Sequence, residues 1–256
     1  MDDISPLHPR AESLRVRKKL VNGFRLGLVV EEGLTAHGRG EAFDYILGER
    51  TTHEAKKAIE AAAAALLLAE NPVISVNGNT AALVPDEIVE LSKATGAKIE
   101  VNLFHPSRKR ERAIADWLRR HGAREVYGLD PKFSTKIQEI HSNRRKVDRR
   151  GIASSDVVLV PLEDGDRTEA LKKIGKRVIA IDLNPMSRTA QAADITIVDN
   201  IVRALPLLIK YVHRLSKCCR KSVKELAQSF DNEFNLRATL KLIFKRLKVQ
   251  SGNHIF

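Results

Sequence analysis

Five short runs rich in valine, isoleucine and leucine, at residues 72–76, 98–101, 155–160, 177–181 and 194–198, recur through the middle of this 256-residue chain. Each has the length of a strand and little polar–apolar alternation, as expected of strands buried on both faces. Helix-length stretches separate them. A chain with that alternation has few options: it forms a largely parallel sheet flanked by helices, an α/β fold.

Residues 8–28 carry Leu14, Leu20, Val21, Phe24 and Leu28 at helical spacing, and residues 52–70 read as an alanine-rich helix capped by Thr52. Helices are also expected over 85–95, 108–121, 167–174, 201–217 and 221–247, with a further short strand at 124–127. Gly33, Gly38 and Gly40 stand close together before the alanine run and predict a loop, and Asn77-Gly78-Asn79 predicts a turn. The expected organisation is one domain over residues 1–256. Its parts are a helical N-terminal part with the glycine loop (1–70), a core (71–200) and C-terminal helices (201–256).

Hydrophobic residues at 43% and charged residues at 30% fit a globular protein and exclude wholesale disorder. The longest apolar run, 61–69, is shorter than the ~20 residues that span a bilayer. Asp2, Asp3 and Glu12 stand where a signal peptide would be basic and then apolar. Cys218 and Cys219 are adjacent, which suits neither a structural disulfide nor a zinc site, so a reducing cytoplasm is the expected compartment. The net charge of +12 is uneven: residues 103–150 carry +8 and 201–256 carry +9, against −3 over 1–102 and −2 over 151–200. Aromatic residues, at 5% overall, do not interleave with the basic stretches, so a nucleic-acid partner is not expected.

Ligands of open parallel sheets bind beyond the carboxyl ends of the strands. Here those ends lead into Asn77 and Asn79, into Asn102, into Asp164, Asp166 and Arg167, into Asp182-Leu183-Asn184 with Arg188-Thr189, and into Asp199-Asn200. Helix capping needs one polar residue per loop, and these loops hold several. They predict a polar crevice for a phosphorylated ligand, with Asn77, Asn79, Asn102, Asp166 and Arg167 as candidate substrate contacts. The glycine segment adds His37, Arg39 and Glu41, a proton carrier, a cation and a carboxylate. It does not match the dinucleotide fingerprint, since no strand precedes it and Phe43 occupies the third glycine position, and Gly175-Lys176, which lacks the upstream glycine and is followed by Arg177, is not a Walker A loop. No histidine pair has metal-ligand spacing and no serine sits in a nucleophile elbow.

In order along the chain, His8-Pro9-Arg10 with Arg17, Ala36-His37-Gly38-Arg39-Gly40-Glu41-Ala42-Phe43-Asp44-Tyr45, Val73-Ile74-Ser75-Val76-Asn77-Gly78-Asn79, Val160-Pro161-Leu162-Glu163-Asp164-Gly165-Asp166-Arg167, Asp182-Leu183-Asn184-Pro185 with Ser187-Arg188-Thr189 and Val198-Asp199-Asn200-Ile201 resemble archaeal phosphopantothenate synthetases, the 4-phosphopantoate–β-alanine ligases. The resemblance departs at Ala11, where an aromatic residue is expected, and at Phe104-His105-Pro106-Ser107.

The resemblance implies a Rossmann-like core, a homodimer, ATP with Mg2+, and release of AMP and diphosphate through an acyl-adenylate of phosphopantoate that β-alanine resolves. It implies nucleotide contacts at Arg17, Arg39, Asp182, Leu183, Asn184, Arg188, Thr189, Asp199, Asn200 and Ile201. His37, Arg39, Glu41 and Asp164 are then the expected catalytic set. Asp164, Asp166 and Glu41 have the oxygen ligands that a hard cation or a substrate ammonium needs, although the metal ligands themselves are not assigned. The competing readings are an ATP-dependent ligase or kinase that releases ADP, and a basic nucleic-acid-binding protein.

Overall fold

The computed structural model describes residues 4–252 except Pro6; Asp2 and Asp3 lie outside the described residues. Its strands are β1 (Pro72–Val76), β2 (Lys98–Val101), β3 (Ser134–Lys136), β4 (Lys146–Asp148), β5 (Val157–Pro161), β6 (Arg177–Ile181) and β7 (Ile195–Ile197). The helices are α1 (Ala11–Arg25), α2 (Glu31–Leu47), α3 (His53–Leu68), α4 (Gly78–Leu83), α5 (Pro85–Thr95), α6 (Arg108–Arg120), α7 (Gly165–Lys173), α8 (Arg188–Ala192), α9 (Ile201–Leu215), α10 (Arg220–Gln228) and α11 (Asn232–Gly252). Five strands form a parallel sheet in the order β2-β1-β5-β6-β7, and β3 and β4 make a separate antiparallel hairpin. The expected α/β architecture with helical ends is what the chain adopts.

Strand side chains alternate between two buried faces. Ile74, Val76, Leu159, Ile179 and Ile197 pack into one core with α3 and α9. Val73, Val158, Val160 and Val178 pack into another with Leu171 of α7 and Val147 of the hairpin. The alanines of α3 explain their own abundance: Ala62, Ala63 and Ala64 have no exposed surface, and their small side chains let the helix lie close to its neighbours. The edge strand β7 is blunted by α11, whose Asn232 and Asn235 bond the backbone N–H and C=O of Thr196 at 2.8 and 2.9 Å.

Four local expectations are corrected. The glycine segment is not a loop but part of α2. Gly33 sits where a Cβ would lie 2.5 Å from Asn79 Oδ1, so close packing accounts for that glycine, whereas a Cβ on Gly40 would only meet Leu183 at ordinary contact distance and one on Gly38 would meet nothing within 4 Å. The turn expected at 77–79 is instead the start of α4, with Asn77 Oδ1 accepting from the N–H of Thr80 at 3.0 Å. Residues 124–127 make only a single bridge, Tyr127 to Glu100. The helix expected over 221–247 is broken between α10 and α11, because Asp231 Oδ1 caps a new start by accepting from the N–H of Phe234 at 2.9 Å. Among the described residues no helix is long and apolar enough to cross a membrane.

Candidate active site

Because β2 and β5 flank β1, the connections run in opposite directions from it, so the position at which sheets of this kind form their ligand crevice is between the carboxyl ends of β1 and β5. Asn77 ties the two ends together, its Nδ2 donating to the carbonyls of Pro161 and Leu162, each at 3.0 Å. Leu162 is held at φ 53°, a left-handed conformation that costs a non-glycine residue ~1–2 kcal/mol. The bonds from Asn77 help to sustain that strain at the mouth of the crevice.

On the far side, β6 and β7 end in a tightly bonded rim. Asp182 accepts from the backbone N–H of Asn184 at 2.9 Å and from Ser187 Oγ, while Ser187 also caps α8 through the N–H of Ala190. Burial raises the Asp182 carboxyl, and these two hydrogen bonds oppose that shift. Asp199 accepts from Thr51 Oγ1 at 2.6 Å and from Arg203 Nη2 at 2.8 Å. Asn200 caps α9 and donates to Asp44 Oδ2 at 2.9 Å. Thr189 reaches back to the carbonyl of Glu163 at 2.9 Å and so joins the two halves of the rim.

Helix α2 lies across these strand ends. Its first turn meets Asn79, which donates to the Gly33 carbonyl at 2.7 Å; Gly40 meets Leu183; and Asp44 meets Asn200 and Arg203. Arg17 of α1 grips Glu41 through Nε at 3.0 Å and Nη2 at 2.7 Å, and Tyr45 donates to the same carboxylate at 3.0 Å. Burial pushes the Glu41 carboxyl up, but the bonds from Arg17 and Tyr45 outweigh it and hold the group below its usual range. His37 is lowered, chiefly by burial and further by Arg17, so its ring is neutral at pH 7. Its Nε2 is buried without a hydrogen-bond partner.

A charged column occupies the β5 side. Arg167 has no exposed surface; it donates to Ser75 Oγ at 2.9 Å and pairs with Glu163. Glu163 in turn pairs with Arg144 at 2.7 Å, and Arg144 Nε lies 2.8 Å from Asp164 Oδ2. Burial raises Asp164, partly offset by Arg144.

The structure thus brings Asn77, Asn79, Asp182, Leu183, Asn200, His37 and Glu41 to one rim. Arg39, Asp166 and Arg188 are exposed, the last paired with Glu169 at 3.0 Å, while Ile201 and Arg167 are buried beneath it. Sequence reasoning missed Asp44, Arg144, Glu163 and Arg203. The four-residue spacings of Glu163 to Arg167 and Asp199 to Arg203 were a usable signal for two of them. Asp44 stands within a motif of the family resemblance, and Arg144 arrives from a distant segment with no local signal. Among the described residues no group of three or more His, Cys, Asp and Glu side chains could cage a metal ion. Asp164 Oδ2 is a buried oxygen without a hydrogen-bond partner, 2.8 Å from Arg144 Nε.

Residues 54–246 match the family model for phosphopantothenate/pantothenate synthetase. The chain is 50% identical to a 4-phosphopantoate–β-alanine ligase of Thermococcus kodakarensis over 248 residues, covering 96% of this chain and 94% of that one. Proteins of the same name match from Methanosarcina mazei, at 49% identity over 98% of each chain, and from Methanospirillum hungatei, at 46% over 94% of this chain and 96% of that one.

Proposed function

Because this chain belongs to the phosphopantothenate/pantothenate synthetase family, we infer that it is a ligase joining 4-phosphopantoate to β-alanine, forming 4'-phosphopantothenate for coenzyme A. The observation that carries the reading to particular residues is α2: one helix touches the loops after β1, β6 and β7 and carries His37 and Glu41, with Arg39 exposed on the same helix. ATP occupies the β6–β7 half, against Asp182-Leu183-Asn184, Arg188-Thr189 and Asp199-Asn200, where the amino end of α9 favours negative charge. Arg17 and Arg39 meet its phosphates. Asp164 is the candidate protein ligand for Mg2+, which would offset the charge of those phosphates.

A carboxylate oxygen of phosphopantoate attacks the α-phosphorus, an O–P bond forms, and the bond to the β-phosphate breaks with diphosphate leaving. The amine of β-alanine then attacks the acyl carbon, the C–N bond forms, and the C–O bond to AMP breaks. β-Alanine arrives as an ammonium, so it must lose a proton before it attacks. The neutral His37 with its unpartnered Nε2 is the group to take it, and Glu41 beside it stabilises the resulting imidazolium. No protein nucleophile is needed, because positioning and guanidinium charge supply the rate gain.

We place the enzyme in the cytoplasm as a homodimer. The test is nucleotide analysis with saturating phosphopantoate and β-alanine: AMP and diphosphate are expected, and ADP would overturn the reading.

A further inference from the structure

Glu100, in the edge strand β2, is a carboxylate with no exposed surface. Its Oε1 accepts from the N–H of Asp148 at 3.0 Å and its Oε2 from the N–H of Ile152 at 2.6 Å, where the chain leaves the β3–β4 hairpin for β5. Gly151 lies so close that a Cβ there would collide with Oε2. Among the described residues no side chain donates to Glu100 and no cation pairs with it. The two inward N–H groups dictate the residue type. An apolar side chain would leave both unsatisfied, and a glutamine has one oxygen to offer while its NH2 would oppose the second donor.

Burial pushes the Glu100 carboxyl up to about 7; the N–H groups of Ile152 and Asp148 and the charge of Arg167 oppose that shift, and the Asp148 carboxylate adds to it. Because this folded value lies above the unfolded one, the stability the group lends is present below the usual carboxylate range and is lost as pH rises through about 7. Above that, the charge is buried at a cost to the fold, which directs attention to what the carboxylate holds in place. It holds the base of the hairpin. Asp148 accepts from Nε and Nη2 of Arg150 at 3.1 and 3.0 Å, and the Arg150 guanidinium stacks 3.5 Å from the Phe133 ring centre, so the base is braced as one piece. Asn102 adds a second tie, donating to the Lys146 carbonyl at 2.9 Å. Arg144 stands just ahead of β4, so its place follows that of the base. It meets Glu163 at 2.7 Å and lies 2.8 Å from Asp164 Oδ2. The line from β2 to the end of β5 thus runs through the hairpin.

We propose that Glu100 is a positioning residue of the ligase: it fixes the hairpin against β2 and so keeps Arg144 against Glu163 and Asp164 at the carboxyl end of β5. The inference rests on the ligase reading and deepens it. Glu100 touches no reacting atom. It holds a guanidinium still beside Asp164, the candidate Mg2+ ligand, so loss of one of its two acceptors lets Arg144 shift while the sheet stays folded.

The test is Glu100→Gln, which keeps the shape and removes one acceptor, assayed at about pH 8 with ATP, phosphopantoate and β-alanine saturating. Turnover should fall about tenfold or more, as expected when a group beside the reacting atoms is misplaced. The melting temperature should stay within about 3 °C of the wild type, because the buried charge is lost together with the hydrogen bond. In an Arg144→Ala background the same substitution should lower turnover by no more than about twofold, since the residue through which Glu100 acts is gone. Arg144→Lys takes its place if the alanine variant does not fold. Hydrogen exchange should quicken about tenfold at the amide of Asp148 or Ile152. Unchanged turnover, an equal fall in both backgrounds, a fall matched by a large drop in melting temperature, or unchanged exchange at both amides would overturn the assignment. If the wild type makes no 4'-phosphopantothenate, the ligase reading fails instead, and the exchange result alone decides whether Glu100 holds the hairpin.

Discussion

The parallel sheet and helix α2 are held by opposite means. Strands β1, β5 and β6 are buried along nearly their whole length among aliphatic side chains, whereas α2 is docked by Arg17–Glu41, by Arg203–Asp44 and by Asn79. Three glycines further weaken α2, each costing ~1 kcal/mol relative to alanine inside a helix. The sheet is therefore the scaffold, and α2 is the element whose hold depends on charge and on what fills the crevice. Local opening should be easiest there.

Four substitutions break or sharpen that contrast. Leu159→Ala in the centre of β5 should cost the whole protein about 4 kcal/mol, read as a lower denaturant midpoint with an unchanged slope. Arg203→Ala strands Asp44 and Asp199 and should cost about 3 kcal/mol, toward the low end for a broken buried pair because Arg203 keeps some exposure. Hydrogen exchange should place that loss in α2 and the amino end of α9; a loss spread evenly over the sheet would erase the distinction.

Glu41→Gln should cost only about 1 kcal/mol, since water screens the half-exposed Arg17. It also carries a pH signature. The folded-state value of Glu41 lies below its unfolded one, so its contribution is present above the usual carboxylate range near ~4.3 and is lost as pH falls through the lowered value. Protection of α2 should thus drop on acidification in the wild type and less so in the glutamine variant. The smallest effect belongs to Gly38→Ala. Nothing lies within 4 Å of a Cβ there, so a helix should gain up to about 1 kcal/mol. No gain would mean that α2 is not helical in solution.

The same contrast explains what could be read without coordinates. Buried strands such as 177–181 announce themselves through apolar runs, and Thr52 marks the start of α3 through its cap to the N–H of Ala55. Helix α2 has only a faint apolar stripe, because its inward face includes Glu41 and Asp44, so glycine content dominated and suggested a loop. The site divided in the same way. Asn77, Asp182 and Asn200 follow strands and were visible, but Asp44 and Arg144 enter from segments 31–47 and 143–145. Only the sheet order β2-β1-β5 and the hairpin bring those segments to the crevice. Long-range ion pairs leave no local period to detect.

The central claim, that this crevice joins an acid to the α-phosphorus of ATP before an amine displaces AMP, is tested most directly by isotope transfer. Phosphopantoate labelled with oxygen-18 in its carboxylate is turned over with ATP and β-alanine, and the nucleotide product is analysed by mass spectrometry. One labelled oxygen in AMP, and none in diphosphate, is the expected result. Label in inorganic phosphate together with ADP, or AMP that carries no label, would contradict it.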